Sequence, residues 1–271
     1  MGSADRLKGQ VAIVTGGGRG FGRAIAVRIA AEGAQVAVVS RSRPQLDEVV
    51  AAIERVGGRA VAIAADVTER TAVERACTTA TRALGSVTLL VNNAGVPGPF
   101  GPIGEFDPDE WWDAQKVHQL APLLFTNAII PTMKARGSGR IININATAAV
   151  VIAANMSAYC VGKAAQLRFT EILDAESRPQ GVRAFALQPG MAVTALAEHT
   201  AERADAQKWL PGMVGRIAQL KNTPEGTRDL DRCAEVCARI AAGDYDALSG
   251  RYLDVKQDFE QLLRSAGAET Q

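Results

Sequence analysis

The sequence of 271 residues has few of the residues that build metal centres and disulfide frameworks. It contains four cysteines and two histidines, and no two cysteines form a C-x-x-C pair, so we expect no metal site. Cys233 and Cys237 lie four residues apart on a predicted helix, which favours helix packing over a disulfide or redox pair. We therefore expect a reducing compartment, the cytoplasm.

The sequence also lacks an excess of charge and a long apolar run. Lys and Arg number 30 against 29 Asp and Glu, a formal net charge of +1. This balance gives no electrostatic reason to expect a nucleic acid or a membrane surface as a partner. No apolar run approaches the ~20 residues that cross a bilayer, and residues 1–9 lack the apolar core of a signal peptide. We expect the partner to be a small molecule.

Short β-branched and apolar runs alternate along the chain with longer helical patterns. The predicted strands are 11–15, 35–40, 60–65, 87–92, 140–145, 182–187 and 251–255, and the predicted helices are 20–32, 44–56, 69–84, 109–135, 157–177 and 228–242. Nearly continuous apolar strands are typical of parallel sheets covered on both faces. The pattern predicts one α/β domain over residues 1–271, with a doubly wound parallel sheet of Rossmann type.

Residues 191–227 interrupt this alternation between the sixth strand and the helix at 228–242. Connections of this length in compact domains are often lids or binding loops. The alternative is a pair of surface helices. Because the segment leaves the sheet at its predicted ligand-binding edge, we favour a lid.

A glycine-rich turn, TGGGRGFG at 15–22, joins the first predicted strand to the first predicted helix. Glycines permit a tight turn and let backbone N–H groups approach a pyrophosphate at the positive end of the helix. The strand before the turn and the helix after it are the context that such a motif requires. We expect a dinucleotide to be bound by Gly16, Gly18, Arg19, Gly20, Phe21 and Gly22.

The end of the second strand is expected beside the adenosine ribose of a bound dinucleotide. A carboxylate there would bind the ribose 2′-hydroxyl and repel a 2′-phosphate, but this sequence has Ser40 and Arg41, followed by Arg43. A guanidinium holds a phosphate through two hydrogen bonds. We therefore predict NADP(H) rather than NAD(H), with solvated helix-flanking arginines as the alternative.

Three further motifs follow the glycine turn in a fixed order. Asn92-Asn93-Ala94-Gly95 ends the fourth strand, Tyr159 and Lys163 stand four apart on one helical face, and Pro189-Gly190-Met191-Ala192-Val193-Thr194 follows the sixth strand. Together with the glycine turn, these motifs resemble the short-chain dehydrogenase/reductase family. The resemblance extends from about residue 7 to residue 255.

The resemblance implies a role for each matching position. Tyr159 would be the general acid in carbonyl reduction and the base in the reverse reaction, while Lys163 would hold the nicotinamide ribose and lower the pKa of Tyr159. It also implies a homodimer or homotetramer built through helices 109–135 and 157–177. The implied nucleotide contacts beyond the glycine turn are Asp66, Val67, Asn93, Ala94, Gly95, Tyr159, Lys163, Pro189, Gly190, Val193 and Thr194.

Two positions depart from the family pattern. Ala146 stands where the family has a catalytic Ser, thirteen residues before Tyr159. The alternatives for the missing donor are Thr147, Asn145, water or the substrate's own polarity. Loss of one such donor commonly costs ~10²–10³ in rate. His118 stands where the family has an Asn, and it is expected to be either a proton shuttle with a pKa near ~6.5 or a packed helix residue with one satisfied nitrogen.

These observations leave three functions open. The first is an NADP(H)-dependent oxidoreductase acting on a ketone, imine, enone or secondary alcohol. The second, motivated by Ala146 and His118, is a non-redox cyclase, isomerase or dehydratase that retains NADP(H) as a structural element. The third is a catalytically silent binding protein, which the intact Tyr159 and Lys163 disfavour. We favour the oxidoreductase, with an apolar substrate contacted by Val96, Ala148, Met156, Met191 and Trp209.

Overall fold

The structure, a computed structural model, describes residues 5–268. It contains a seven-stranded sheet in the order β3-β2-β1-β4-β5-β6-β7, in which every pair of neighbouring strands is parallel. The strands are β1 (Val11–Thr15), β2 (Gln35–Ser40), β3 (Arg59–Ala64), β4 (Leu89–Asn92), β5 (Gly139–Ile144), β6 (Val182–Gln188) and β7 (Tyr252–Asp254). The predicted parallel sheet is confirmed, with bounds that differ by one or two residues.

Helices cover both faces of this sheet because successive strand residues point to opposite sides. The helices are α1 (Gly20–Ala31), α2 (Arg43–Arg55), α3 (Arg70–Leu84), α4 (Pro108–Gln115), α5 (Ala121–Arg136), α6 (Ser157–Ser177), α7 (Ala195–Glu202), α8 (Ala204–Trp209), α9 (Pro211–Leu220), α10 (Glu225–Ala242) and α11 (Phe259–Ala268). Ala12 and Val14 pack with α1, α2 and α10. Val11 and Ile13 pack with α3, α5 and α6 on the other face.

The strand order reverses between β1 and β4. The chain runs outward from β1 to β3 and then returns to place β4 on the other side of β1. In doubly wound sheets, ligands bind in the crevice outside the carboxyl ends of the strands at this switch point. The glycine turn after β1 and the Asn-Asn-Ala-Gly turn after β4 both lie there.

The predicted helix 109–135 is interrupted in the structure. A π-helical turn, Lys116–Leu120, separates α4 from α5 and carries His118 at its centre. Such turns mark an inserted residue in an α-helix and are frequent at functional sites. Periodicity alone does not reveal one inserted residue, so the sequence predicts a single continuous helix.

The segment 191–227 contains the three short helices α7, α8 and α9, and α10 begins within it at Glu225. Cys233 and Cys237 are buried on α10 as free cysteines, as their spacing predicts. Within residues 5–268, none of the helices combines the length and hydropathy that a membrane span requires. Residues 1–4 and 269–271 of the predicted domain 1–271 lie outside the described residues.

Candidate active site

The glycine turn leaves no room for side chains at three of its positions, Gly16, Gly17 and Gly22. A Cβ at Gly22 would lie 2.4 Å from the carbonyl oxygen of Gly16, and a Cβ at Gly16 would lie 2.9 Å from Asn93 Nδ2. Gly16 and Gly20 also have positive φ angles of 62° and 54°, which glycine adopts without strain. Helix α1 then begins at Gly20 with no side-chain cap, so the first backbone N–H groups of α1 have no side-chain acceptor.

The Asn-Asn-Ala-Gly turn after β4 is hydrogen-bonded to the end of β1. Asn93 Nδ2 donates to the carbonyl oxygens of Thr15, at 3.0 Å, and Gly16, at 3.2 Å. The backbone N–H groups of Asn93 and Ala94 donate in turn to Thr15 Oγ1, at 3.0 and 3.1 Å. These bonds hold the two turns in one fixed arrangement at the switch point.

The end of β2 presents a hydroxyl and a cation to the same edge. Ser40 Oγ is buried without a hydrogen-bond partner among the described residues, and a Cβ at Gly18 would lie 3.2 Å from it. Arg41 is exposed, and its charge helps to lower the pKa of Asp66. Burial acts to raise that pKa, but hydrogen bonds from Thr68 and the charge of Arg41 more than offset it. An unpaired buried hydroxyl beside an exposed guanidinium is suited to bind an anion.

Tyr159 and Lys163 lie one turn apart in the first half of α6. Lys163 is only 4% exposed, and its Nζ donates to the Ile144 carbonyl at 2.7 Å and to Gln166 Oε1 at 3.2 Å. The same Nζ lies 5.9 Å from the centroid of the Tyr159 ring. The structure therefore brings the two predicted residues together at the carboxyl edge of the sheet.

Burial controls the protonation of both groups. It raises the pKa of Tyr159 to about 12, with further contributions from Cys160 and Tyr252, and it lowers the pKa of Lys163 to about 7. The lowering of the Tyr159 pKa by Lys163 that the resemblance implies stays a prediction, because in this structure desolvation of the phenol acts in the opposite direction. At neutral pH Tyr159 is thus protonated, the form required of a proton donor.

His118 is fully buried beside Tyr159. Its Nε2 lies 2.8 Å from the Val96 carbonyl, which can only accept, so Nε2 carries the proton. Nδ1 is buried without a partner among residues 5–268. Burial, and then the charge of Lys163, lower the pKa of His118 to about 3. The geometry matches the packed residue with one satisfied nitrogen and not a shuttle that titrates near pH 6.5.

Ala146 leaves its position without a hydroxyl, and the hydroxyl of Thr147 is already engaged. Thr147 Oγ1 accepts a hydrogen bond of 2.9 Å from Gln188 Nε2 at the end of β6. The preceding residue, Asn145, donates through Nδ2 to the Lys163 carbonyl at 3.1 Å. To replace the missing Ser, the Thr147 hydroxyl would have to act while its oxygen accepts this hydrogen bond from Gln188 on β6.

The Pro-Gly motif after β6 is fixed by a buried carboxylate on α10. Asp229 Oδ2 accepts from the Met191 N–H at 2.8 Å, and a Cβ at Gly190 would lie 2.2 Å from the same oxygen. Thr194 then caps α7, and a Cβ at Gly20 would lie 3.1 Å from Thr194 Cγ2. Residues 191–227 thus start against the glycine turn.

Residues 191–227 also contact the loop after β4. Asp205 Oδ2 accepts from the Phe100 N–H at 3.0 Å, and a Cβ at Gly101 would lie 3.0 Å from Trp209 Nε1. Trp209 and its neighbours line a cavity of about 330 Å³. The other four predicted substrate contacts do not line this cavity; they are Val96, Ala148, Met156 and Met191.

The sequence does not single out several buried polar residues that support the site. Gln166, at 1% exposure, is the side-chain acceptor for Lys163, and Thr170 donates to the Gln166 carbonyl at 2.8 Å. Asn143 links Thr170 to Asn92 through two bonds of 2.8 Å. Polar residues at the apolar positions of a predicted helix or strand are the signal that would have identified them.

Comparison with known proteins gives consistent matches along the chain. Residues 10–205 match the family model described as short chain dehydrogenase. The chain is 34% identical over 268 residues to a short chain dehydrogenase of Pseudocercospora fijiensis, covering 97% of this chain and 85% of that protein. It is 33% identical over 228 residues to 2-(S)-hydroxypropyl-CoM dehydrogenase 3 of Xanthobacter autotrophicus, covering 82% and 88%. An NAD+-bound xylitol dehydrogenase shares the fold with a TM-score of 0.79 at 25% identity, covering 92% of this chain and 98% of that one.

Proposed function

Because this chain belongs to the short-chain dehydrogenase/reductase family, an oxidoreductase family that uses a nicotinamide cofactor, we propose that it is an NADP(H)-dependent enzyme. The enzyme reduces a ketone, imine or enone, or oxidises a secondary alcohol in the reverse direction. Its substrate is fairly apolar. The observation that carries this proposal is the buried Lys163 one turn from Tyr159. Two of the similar proteins are named for the oxidation of alcohols, which supports the same chemistry here.

The proposed preference for NADP(H) rests on the end of β2. Ser40 offers a buried hydroxyl without a partner, and Arg41 forms no ion pair among residues 5–268, whereas Arg43 pairs with Asp47. No carboxylate occupies residues 40–43 to repel a 2′-phosphate. In the same proposal the pyrophosphate of NADP(H) binds next to this site, at the crowded glycine turn and the uncapped start of α1.

In this proposal each side chain has a definite task. When bound, the nicotinamide supplies the hydride that reduces the substrate carbon. Tyr159 donates its phenolic proton to the substrate oxygen, so the carbonyl gains one hydride and one proton and becomes an alcohol. Lys163 stabilises the phenolate that remains, and His118 packs against the Tyr159 ring and fixes its orientation. In the reverse reaction the tyrosinate accepts the alcohol proton.

We further propose one catalytic domain that assembles as a homodimer or homotetramer through α4, α5 and α6. Trp112 is 59% exposed on α4, Leu123 is 40% exposed on α5, and Val161 and Ile172 are 45% and 49% exposed on α6. Apolar side chains exposed together on adjacent helices are typical of a subunit interface. The free cysteines fit a cytoplasmic location.

Turnover assays test the proposed reaction. Purified protein is mixed with NADPH and a panel of bulky ketones, imines and enones, and the loss of nicotinamide absorbance is followed together with product formation. We expect oxidation of NADPH with at least one carbonyl, and loss of that activity in Tyr159→Phe. Substrate conversion without NADPH oxidation would instead establish the non-redox alternative, and nucleotide binding without any conversion would establish a silent binding protein.

A further inference from the structure

The ammonium group of Lys163 is held by two acceptors from different elements of the fold. Its Nζ donates to the Ile144 carbonyl at the end of β5, at 2.7 Å, and to Gln166 Oε1 on α6, at 3.2 Å. An ammonium group carries three N–H donors, which point to the corners of a tetrahedron. A single acceptor would leave the group free to turn about one hydrogen bond, whereas two acceptors fix it. The third N–H of Lys163 therefore has one direction left.

The orientation of the Gln166 amide follows from this contact. Because an ammonium group can only donate, the amide oxygen must face Lys163. The amide nitrogen of Gln166 is buried without a hydrogen-bond partner among residues 5–268. A buried amide nitrogen without a partner lowers stability, and an apolar side chain of similar size would not. Packing alone does not explain a glutamine at this position, whereas its hydrogen bond to Lys163 does.

The part of α6 that carries Gln166 is anchored to the sheet by buried polar residues. Thr170 Oγ1 donates to the Gln166 carbonyl and accepts from Asn143 Nδ2 on β5, both at 2.8 Å. Asn143 Oδ1 accepts in turn from Asn92 Nδ2, at the end of β4, at 2.8 Å. The four side chains are at most 3% exposed. Gln166 therefore meets Lys163 from a position that is fixed relative to the carboxyl edge of the sheet.

We propose that Gln166 is a positioning residue for the carbonyl reaction, one that fixes the direction of the Lys163 ammonium group and so keeps its third N–H for the reacting groups. The ring of Tyr159, whose phenolate Lys163 stabilises in the proposed function, has its centroid 5.9 Å from Nζ. Gln166 acts through Lys163 and touches neither the substrate nor the cofactor. The inference rests on the proposed function, because that function gives Lys163 its task.

The titratable groups around Lys163 allow this role to be tested through pH. On α6 lies Tyr159, and burial raises its pKa to about 12. On the π-helical turn lies His118, and burial and then the charge of Lys163 lower its pKa to about 3. The carboxyl end of β5 contributes the uncharged Ile144 carbonyl. Since burial lowers the pKa of Lys163 to about 7, Tyr159 and His118 are both neutral at the pH at which Lys163 titrates.

Two substitutions of Gln166 separate this role from packing. Gln166→Met removes the acceptor and keeps a side chain of similar length. We expect its kcat for the best ketone to fall about 10-fold, on the scale of one hydrogen bond to a charged group, with an unchanged melting temperature. Gln166→Glu keeps an acceptor, and we expect it to retain most of kcat. Thr126→Val is the matched control and is expected to keep the wild-type kcat, because Thr126 is 2% exposed on α5 and its hydroxyl has no hydrogen-bond partner among residues 5–268.

The pH profile of kcat gives a readout that a packing role would not change. Ketone reduction requires protonated Lys163, so kcat falls as pH rises through the pKa of Lys163. Gln166→Met removes an acceptor that favours the charged form, and we expect the fall to move to lower pH. Gln166→Glu adds a negative charge, and we expect the fall to move to higher pH. The same profile in both variants and the wild type, or an unchanged kcat in Gln166→Met, would overturn the inference while leaving the proposed function intact.

A measurement without substrate separates the inference from the proposed function. The ¹³Cε resonance of Lys163, identified by its loss in Lys163→Met, reports the protonation of Lys163 in NMR spectra. We expect the pKa of Lys163 measured in this way to be lower in Gln166→Met and higher in Gln166→Glu than in the wild type. Equal values in the three proteins would overturn the inference. A wild-type protein for which these shifts are found, but which reduces no carbonyl, would overturn the proposed function and leave the contact between Gln166 and Lys163 established.

Discussion

The imidazole ring of His118 lies edge-on against the phenol ring of Tyr159, with 5.4 Å between the centroids and an angle of 86° between the planes. The His118 side chain also packs against α6 at Gly162, where a Cβ would lie 2.9–3.0 Å from three atoms of His118. The hydrogen bond from His118 Nε2 to the Val96 carbonyl holds the imidazole ring in this position. His118 thus acts through packing and one hydrogen bond, in the neutral form.

The neutral state of His118 predicts the pH dependence of a His118→Asn variant. Because the pKa of His118 is lowered to about 3, the group does not titrate between pH 5 and 9. We expect kcat of His118→Asn to change by a constant factor across this range, so that the two pH profiles of kcat have the same shape. A wild-type inflection near pH 6.5 that disappears in the variant would show that His118 shuttles protons.

The burial of Lys163 predicts how stability depends on pH. Its pKa falls from the ordinary 10.5 in the unfolded chain to about 7 in the folded protein. Between these values the unfolded state binds more protons, so stability decreases as pH falls from about 10.5 to about 7 and is constant below. Lys163→Met lacks this dependence. We expect the melting temperature of Lys163→Met, relative to wild type, to rise as pH falls from 10 to 7, measured by differential scanning fluorimetry; a pH-independent difference would contradict the assigned burial.

The proposed 2′-phosphate site predicts a change of cofactor preference. In Arg41→Asp a carboxylate replaces the guanidinium at the end of β2. We expect the NADPH dissociation constant to rise by about 10²-fold, on the scale of a lost charge-assisted pair, and the NADH dissociation constant to fall, both measured by fluorescence titration. Arg43→Asp is the matched control, because Arg43 already pairs with Asp47. Equal losses in both variants would place the phosphate elsewhere.

The closeness of Gly22 to Gly16 predicts a steric effect on nucleotide binding. In Gly22→Ala the new methyl group would lie 2.4 Å from the Gly16 carbonyl oxygen, and the turn must move. We expect at least a 10-fold weaker NADPH affinity and a lower melting temperature. Gly215→Ala is the control: with nothing within 4 Å of its Cβ and a position in the middle of α9, it is expected to raise stability by about 0.5–1 kcal/mol. A Gly22→Ala protein that binds NADPH normally would contradict the tight turn.

The parts of the molecule that the sequence predicts well are those set by local patterns. Continuous apolar runs identify the seven strands, the glycines identify the turn after β1, and helical periodicity places Tyr159 and Lys163 on one face of α6. Each of these depends on residues close together in the chain. The predicted strand bounds are therefore correct to within one or two residues, and the order of the motifs places the candidate site at the carboxyl edge of the sheet.

The parts that the sequence does not predict depend on contacts between distant residues. The π-helical turn forms where His118 packs between Gly162 and the Val96 carbonyl, and no local pattern encodes this packing. The Thr147 hydroxyl oxygen accepts a hydrogen bond from Gln188, 41 residues away. Burial raises the Tyr159 pKa although the nearby Lys163 predicts the opposite. The π-helical turn, the hydrogen bond of Thr147 and the pKa of Tyr159 are thus all determined by tertiary contacts.

The most direct measurement is a calorimetric titration of the purified wild-type protein with NADPH and, separately, with NADH. The account predicts one nucleotide site per chain, with tighter binding of NADPH, in the crevice formed by the glycine turn, Ser40, Arg41 and Lys163. Heat changes no larger than dilution for both nucleotides, at protein concentrations that suffice to detect micromolar binding, would contradict it.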